Sequence, residues 1–327
     1  MQQHPYRRAA ELTLACLIMG SSATVLAQTY PNRPVRIIAG YAPGGSTDIV
    51  ARLVAQKLGD SLQQQVVVEN RTGANGNIAA EATAKAAPDG YTLLMAANGF
   101  TINASLYKKL SYDPVRDFSP VTLVALIPNV LVVHPSLPPR SIKDLIALAR
   151  AKPDQLTHGS SGTGAPGHLA GEVFKIMTGV KFIHVAYKGS SQALIDLLGG
   201  HVEIVFPTIP AVIPHIKTGK LRALGVTSLK RSASLPDTPT IDEAGVRGYE
   251  VVGWYGVLAP AGVPKDIIAR ISGDIGKALR TPEFRERLVR DGAEPVGNTP
   301  EDFRAYIETD VGKWRKVIET AGIKFEP

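Results

Sequence analysis

Cysteine is almost missing from this chain: Cys16 stands alone in 327 residues. One thiol excludes an intrachain disulfide and any cysteine-built zinc cluster. Aromatic residues make up only 6%, too few for a base-stacking platform. Neither sign of charge dominates. Lys+Arg number 36 against 29 Asp+Glu, a formal +7 that is not gathered into runs, which argues against nucleic acid as a partner. Beyond the N-terminus, no stretch approaches the ~18 uninterrupted apolar residues of a membrane span. Chemistry-bearing constellations are missing too. No Walker-type lysine follows a glycine-rich loop, and Gly159-Ser160-Ser161-Gly162-Thr163 fails the GxSxG elbow at its last position. His134, His158, His168, His184, His201 and His215 lack metal-ligand spacing. No nucleophile, base and orienting group come together, so neither an enzyme, a metal site nor a cofactor is expected.

What is present is a chain able to build a real core, with 44% hydrophobic residues and a length of about two domains. Residues 1–27 form a secretory signal peptide. Arg7 and Arg8 make its basic start, residues 12–18 its short apolar run, and Val25-Leu26-Ala27 a cleavage site after Ala27. Ala9-Ala10-Glu11 is a poor continuation of a twin-arginine signal. Thr13 sits where a lipid anchor on Cys16 would need an apolar residue. The general export route is therefore expected, with a soluble mature chain that carries no cysteine.

Two similar units follow. In the first, residues 34–41 read as a strand, 43–48 as a Gly/Ser turn and 49–58 as a helix. Residues 66–68 are a second strand, 70–77 a second Gly-rich loop, 78–87 a helix and 91–95 a third strand. The second unit repeats this grammar: strand 156–158, loop 159–167, helix 168–177, strand 181–185, loop 187–191, helix 192–198 and strand 202–206. The pattern predicts an α/β protein of two lobes with mostly parallel sheets. Two apolar, β-rich stretches, residues 121–133 and 249–258, would carry the chain from one lobe to the other and back. The expected division is lobe 1 over 28–126, lobe 2 over 127–250, and a return to lobe 1 over 251–327. Three C-terminal helices end the chain. The last has Phe303, Tyr306, Ile307, Val311, Trp314, Val317 and Ile318 on one stripe. Ser141 to Asp144, Thr281-Pro282 and Thr299-Pro300 read as helix starts.

Two lobes joined by two crossings make a cleft, and the strand-to-helix loops fall at its rim. A Gly-rich turn that opens a helix presents free N–H groups and the positive end of the helix dipole, which suits an anion. Gly44-Gly45-Ser46-Thr47 and the turn from Ser160 through Ser161 and Thr163 to Gly164 are two such turns, one per lobe. Glycine and serine also make plain tight turns, with Thr47 or Asp48 as a helix cap. Residues 162–167 match GxGxxG, but no acidic residue ends the next strand to hold a ribose, so a dinucleotide is not expected. His168 is placed either to touch a ligand or to pack and cap locally. His158 and His184 read as structural. Lys188 either lends charge to a ligand or is solvated.

The chain resembles the extracytoplasmic solute receptors of the tripartite tricarboxylate transporter type, the Bug family. The carrying segments are residues 30–34, 41–48 (YAPGGSTD), 68–71, 88–93, 159–164 (GSSGTG), 168–172, 187–189, 235–240 and 254–256 (WYG). Their joint order along the mature chain is specific. The resemblance implies a type II periplasmic binding fold that closes like a pincer on a small carboxylate, held by loop amides, hydroxyls and waters. It implies a periplasmic monomer serving a membrane permease, or in another reading a sensor. By position, the lobe 1 contacts would be Tyr41, Ala42, Gly44, Gly45, Ser46, Thr47, Asp48 and Asn98. Those of lobe 2 would be Ser160, Ser161, Thr163, Gly164, His168, Tyr187 and Lys188. Phe206-Pro207 departs from the Phe-Asp frequent in the family. With that carboxylate gone, an unaminated acid is expected over an amino acid.

Overall fold

A computed structural model of the chain describes residues 30–290 and 292–323; the signal peptide expected over residues 1–27 lies outside them. Apolar residues stack into two sheets. The first is built on β1 (Val35–Ala39), β2 (Val66–Asn70) and β3 (Thr92–Ala97), with α1 (Ser46–Leu62) and α2 (Asn77–Ala84) between them. β1 pairs in parallel with both β2 and β3. The second sheet repeats this unit with β6 (Thr157–Ser160), β7 (Ile183–Ala186) and β8 (Ile204–Val205), and again the first strand lies between the other two in parallel.

The expected parallel cores are therefore present, but neither sheet is mostly parallel. The strands that cross between lobes add antiparallel pairs. β4 (Phe118–Pro128) and β10 (Val252–Pro260) pair with each other, β10 also pairs with β3, and β11 (Glu294–Pro295) closes the edge on β4. In the second sheet β5 (Val130–Val133) runs antiparallel to β8 and to β9 (Arg222–Val226). The orders are β11-β4-β10-β3-β1-β2 and β7-β6-β8-β5-β9. A chain that enters a lobe along one side of the hinge and leaves along the other must run both ways there.

The crossings lie side by side. Asn129 separates β4 from β5, and Thr227 ties it to the return crossing. The Thr227 N–H donates to the Asn129 carbonyl, and the Thr227 carbonyl accepts from the Val251 N–H, each at 2.9 Å. Three elements escape the periodicity rules. α3 (Gly99–Leu106) is short and buried over most of its surface, so it has no polar stripe. α7 (Ile209–Lys217) contains Pro214 in its interior, a residue that argues against a helix. β9 carries Arg222 and Gly225 within its five residues, which breaks up the apolar run.

The remaining helices are α4 (Ile142–Ala151), α5 (Pro166–Thr178), α6 (Ser190–Leu198), α8 (Lys265–Leu279), α9 (Pro282–Arg290) and α10 (Pro300–Ala321). The Ser141 and Thr299 hydroxyls cap α4 and α10 as expected, accepting from Asp144 and Asp302 N–H. The Thr281 hydroxyl instead donates back to the Ala278 carbonyl. α10 serves both lobes. Its Phe303, Ile307 and Val311 join the lobe 1 core with Ile38, Leu94 and Trp254. One turn on, Trp314 and Ile318 join the lobe 2 core with Leu169, Phe174 and Phe206.

Candidate functional site: the interlobe cleft

Where the crossings enter lobe 2, a cavity of about 280 Å³ opens between the lobes. Lobe 1 supplies Asn98, the crossings supply Ile127, Asn129, Gly253 and Tyr255, and lobe 2 supplies the rest. Three helices of lobe 2 begin on it: α5 at Pro166 and Gly167, α6 at Ser190 and Ser191, and α7 at Thr208 and Ala211. Each brings the positive end of its dipole; α6 adds the N–H groups of its first turn, whereas α5 and α7 carry Pro166 and Pro210 there, and the Ala211 N–H donates to the Thr208 carbonyl at 3.2 Å. Among the described residues, no Asp, Glu, Lys, Arg or His lines the cavity. Its polar groups are hydroxyls, amides and the Tyr255 phenol, whose pKa is pushed up chiefly by burial, with the Ser46 and Thr47 hydroxyls working against that rise. An anion can be held there without a full positive charge.

Of the residues expected at the site, Asn98, Ser160 and Ser161 lie on this wall. The Ser160 hydroxyl is turned inward, 2.7 Å from Nε2 of His184. The other residues expected at the site, Tyr41, Ala42, Gly44, Gly45, Ser46, Thr47, Asp48, Thr163, Gly164, His168, Tyr187 and Lys188, do not line this cavity. Ser46 and Thr47 open α1 beside Tyr255. Asp48 does not cap α1; that place falls to Gly45. The Asp48 carboxylate is buried and accepts from the Gly44 N–H, Arg52 Nε and Asn70 Nδ2, each at 2.9 Å. Burial pushes its pKa up, but these donors and the Arg52 charge outweigh that and hold it at about 2. Asp48 thus braces the loop from behind, as do its neighbours: the Ala42 carbonyl accepts from the Gly45 N–H at 3.2 Å. Gly44 bends the turn at φ +78°, a conformation that favours glycine. The Tyr41 hydroxyl reaches the Asn75 carbonyl and Oδ1 at 3.3 and 3.2 Å.

In lobe 2, His168 takes the local role. Its Nδ1 accepts from the Gly164 N–H at 3.0 Å, its Nε2 lies 3.4 Å from Glu172, and its ring stacks on His184 with centroids 3.8 Å apart. A ring so enclosed props the loop and does not face the cleft. Burial, followed by the charge of His168, lowers the His184 pKa to about 4. His158 lies fully buried with neither ring nitrogen bonded, and burial lowers its pKa to about 3, with His184 and His168 adding to the fall. The Tyr187 hydroxyl donates to Asp196 at 2.6 Å. The Lys188 N–H donates to Gln192 at 3.1 Å, and Lys188 is exposed. Thr163 is exposed at the loop tip. Among the described residues, no group of His, Cys, Asp and Glu could hold a metal ion.

Sequence reasoning missed Ser190, Ser191, Thr208, Asn129 and Tyr255 as wall residues. The two serines were accessible by the rule used for the other turns, since they open a helix after a strand. Asn129 and Tyr255 lie on crossing strands, where only pairing brings them to the cavity.

The match to known proteins runs along nearly the whole chain. The profile described as the tripartite tricarboxylate transporter family receptor covers residues 50–323. Protein BugT of Bordetella pertussis is 40% identical over 309 residues, covering 94% of this chain and 95% of BugT. A protein of R. palustris solved with adipate is 41% identical, with a TM-score of 0.76 over 90% of this chain and 99% of its own. MatC from Rhodopseudomonas palustris, solved with bound malate, is 30% identical, with a TM-score of 0.72 over 88% of this chain and 100% of its own. With this sequence identity, this two-lobe α/β fold and this cleft, the chain belongs to the Bug family of tripartite tricarboxylate transporter receptors.

Proposed function

We propose that this chain is a periplasmic receptor that captures a small organic carboxylate in the interlobe cleft and delivers it to a membrane permease of the tripartite tricarboxylate type. The carrying observation is the convergence of three helix N-termini and several hydroxyls on a cavity that, among the described residues, has no charged side chain. Such a wall stabilises a carboxylate by N–H and O–H donation in a partly desolvated space. The relatives solved with adipate and with malate support the ligand class. An ammonium group would find no carboxylate on the wall, where Pro207 stands, so an unaminated acid is preferred. Lobe 1 (28–126 and 251–327) and lobe 2 (127–250) close about the paired crossings, and the turns at Gly44 to Asp48 and Ser160 to Gly164 frame the mouth. The chain acts as a binding protein without turnover. It is exported by a signal peptide cleaved near Ala27 and works as a monomer.

Calorimetric titration of the mature protein with mono- and dicarboxylates tests this. Saturable binding of at least one unaminated acid is expected, with the ligand recovered unchanged. Tight binding of amino acids and none of simple carboxylates would overturn it.

A further inference from the structure

The turn from Ser160 to Gly164 touches both sides of the cleft. It gives the cavity Ser160 and Ser161. At Gly164 it comes against lobe 1, where a Cβ would stand 3.1 Å from Leu106 Cδ1 on α3. Gly164 bends at φ +78°, a conformation glycine visits freely but does not by itself hold. The bond that holds it comes from His168, in the first turn of α5, whose Nδ1 accepts from the Gly164 N–H at 3.0 Å. A side chain of a first helical turn that reaches back to an N–H ahead of the helix is a capping device. A second stay comes from β7, where His184 Nε2 lies 2.7 Å from the Ser160 hydroxyl and the His184 ring stacks on His168.

This geometry fixes the tautomer of His168. Since Nδ1 accepts, the neutral ring carries its proton on Nε2, 3.4 Å from Glu172 Oε1. A second proton goes to Nδ1, and an N–H there faces the Gly164 N–H donor to donor. The charged ring is nevertheless supported from its other side, because Glu172 stands at Nε2, itself held by Lys175 Nζ at 2.8 and 2.9 Å. The other titratable groups around the stack are His184 itself and His158 on β6, 5.6 Å from it. Burial above all holds these two at pKa values of about 4 and about 3, and His168 is the ring of the three that has a carboxylate beside it.

Resting on the carboxylate-receptor reading, we infer that His168 is a positioning residue for ligand capture: its bare Nδ1 holds the turn that carries Ser160 and Ser161 and meets lobe 1, and a proton on that nitrogen frees the turn and weakens binding. His168 acts through the turn and touches no ligand.

The experiment titrates the mature wild type, His168→Asn and His168→Leu with succinate, malate and adipate at about pH 8 and about pH 5, the range in which histidine changes charge. The asparagine Oδ1 stands where Nδ1 was and accepts the same N–H, but takes no proton; leucine offers no acceptor. Protonation of the acid is common to all three proteins and cancels in their comparison. On acidification the wild type should lose about threefold to tenfold more affinity than His168→Asn, the worth of one hydrogen bond. At about pH 8 His168→Asn should bind within about threefold of the wild type, and His168→Leu about threefold to tenfold more weakly. In nitrogen magnetic resonance of the wild type at about pH 8, His168 should show the neutral ring with its proton on Nε2; this signal and the asparagine comparison decide alone if the leucine variant does not fold. Equal acid losses in wild type and His168→Asn, wild-type affinity in a folded His168→Leu, or a proton on Nδ1 at that pH would each overturn the inference and leave the carboxylate receptor standing. If none of the acids binds the wild type at either pH, the receptor reading itself fails, and this inference with it.

Discussion

Replacing Asp48 by Asn tests the claim that this carboxylate braces the lobe 1 turn. Asp48 is 2% exposed and accepts from three donors, one of them the Arg52 guanidinium. Its pKa falls from 3.8 to about 2 on folding. A depression of about two units corresponds to roughly 2.5 kcal/mol of stability held by the ionised form. Hydrogen bonds to a charged acceptor, at about 1.5–3 kcal/mol for the strongest, support the same size. Since the folded carboxyl has the lower pKa, this stabilisation is complete above about pH 5 and is lost as pH falls through the interval between the two values. By pH 3 roughly 1 kcal/mol of it is gone. Asp48→Asn should therefore lower the urea unfolding free energy by about 2–3 kcal/mol at pH 7 and by roughly 1 kcal/mol less at pH 3. The chevron-free equilibrium curve suffices, read by far-ultraviolet circular dichroism. A variant equally destabilised at both pH values would show that the loss comes from shape and not from charge. A loss below about 0.5 kcal/mol at pH 7, the size of a neutral surface change, would refute the brace altogether.

Asp310 behaves in the opposite sense. Burial raises its carboxyl above the ordinary range despite bonds from Thr101 and Trp254, so its ionised form costs stability as pH rises. Asp310→Asn should be neutral or stabilising at pH 7, while Asp310→Ala, which strands two buried donors, should lose about 2–3 kcal/mol in urea unfolding. His158 has no hydrogen-bond partner to lose, so His158→Leu should stay within about 1.5 kcal/mol of wild type at pH 7. Because the imidazole pKa falls on folding, to about 3, the variant should gain on wild type as pH drops below about 6, measured as thermal midpoints across pH. Gly171 lets α5 approach β6 closely: a Cβ there would collide with the His158 ring. Gly171→Ala should cost about 1–3 kcal/mol despite the better helix former, and His158→Ala in the same chain should restore part of it. Ser46→Trp, beside the Tyr255 phenol, should abolish carboxylate binding in calorimetry while leaving the circular dichroism spectrum unchanged.

Much of the fold was legible because the two βαβαβ units write their periodicity locally. Strand β1, helix α1 and strand β2 each show an apolar pattern, set off by Pro34, by the turn at Gly44-Gly45 and by the loop at Gly73, and residues 156–206 show it again. The Gly-rich turns were equally visible, since a chain that must leave a strand and enter a helix within a few residues needs glycine and serine there. That such turns suit an anion also followed from sequence, because helix N-termini carry the same partial charge in any fold.

What the turns do individually was decided by the tertiary structure. Asp48 and His168 sit in the first turns of α1 and α5 and looked like ligand contacts, yet each is turned back to hold the loop before its helix, because a buried carboxylate or imidazole next to free backbone N–H groups finds its nearest partners there. The wall residues Asn129 and Tyr255 meet the lobe 2 helices only because β4 and β10 lie side by side at the hinge. Mixed sheets arise from the same crossing. Local chemistry determined the elements and the kind of ligand they suit; which side chains face it depends on strand pairing across more than a hundred residues, which no local pattern records.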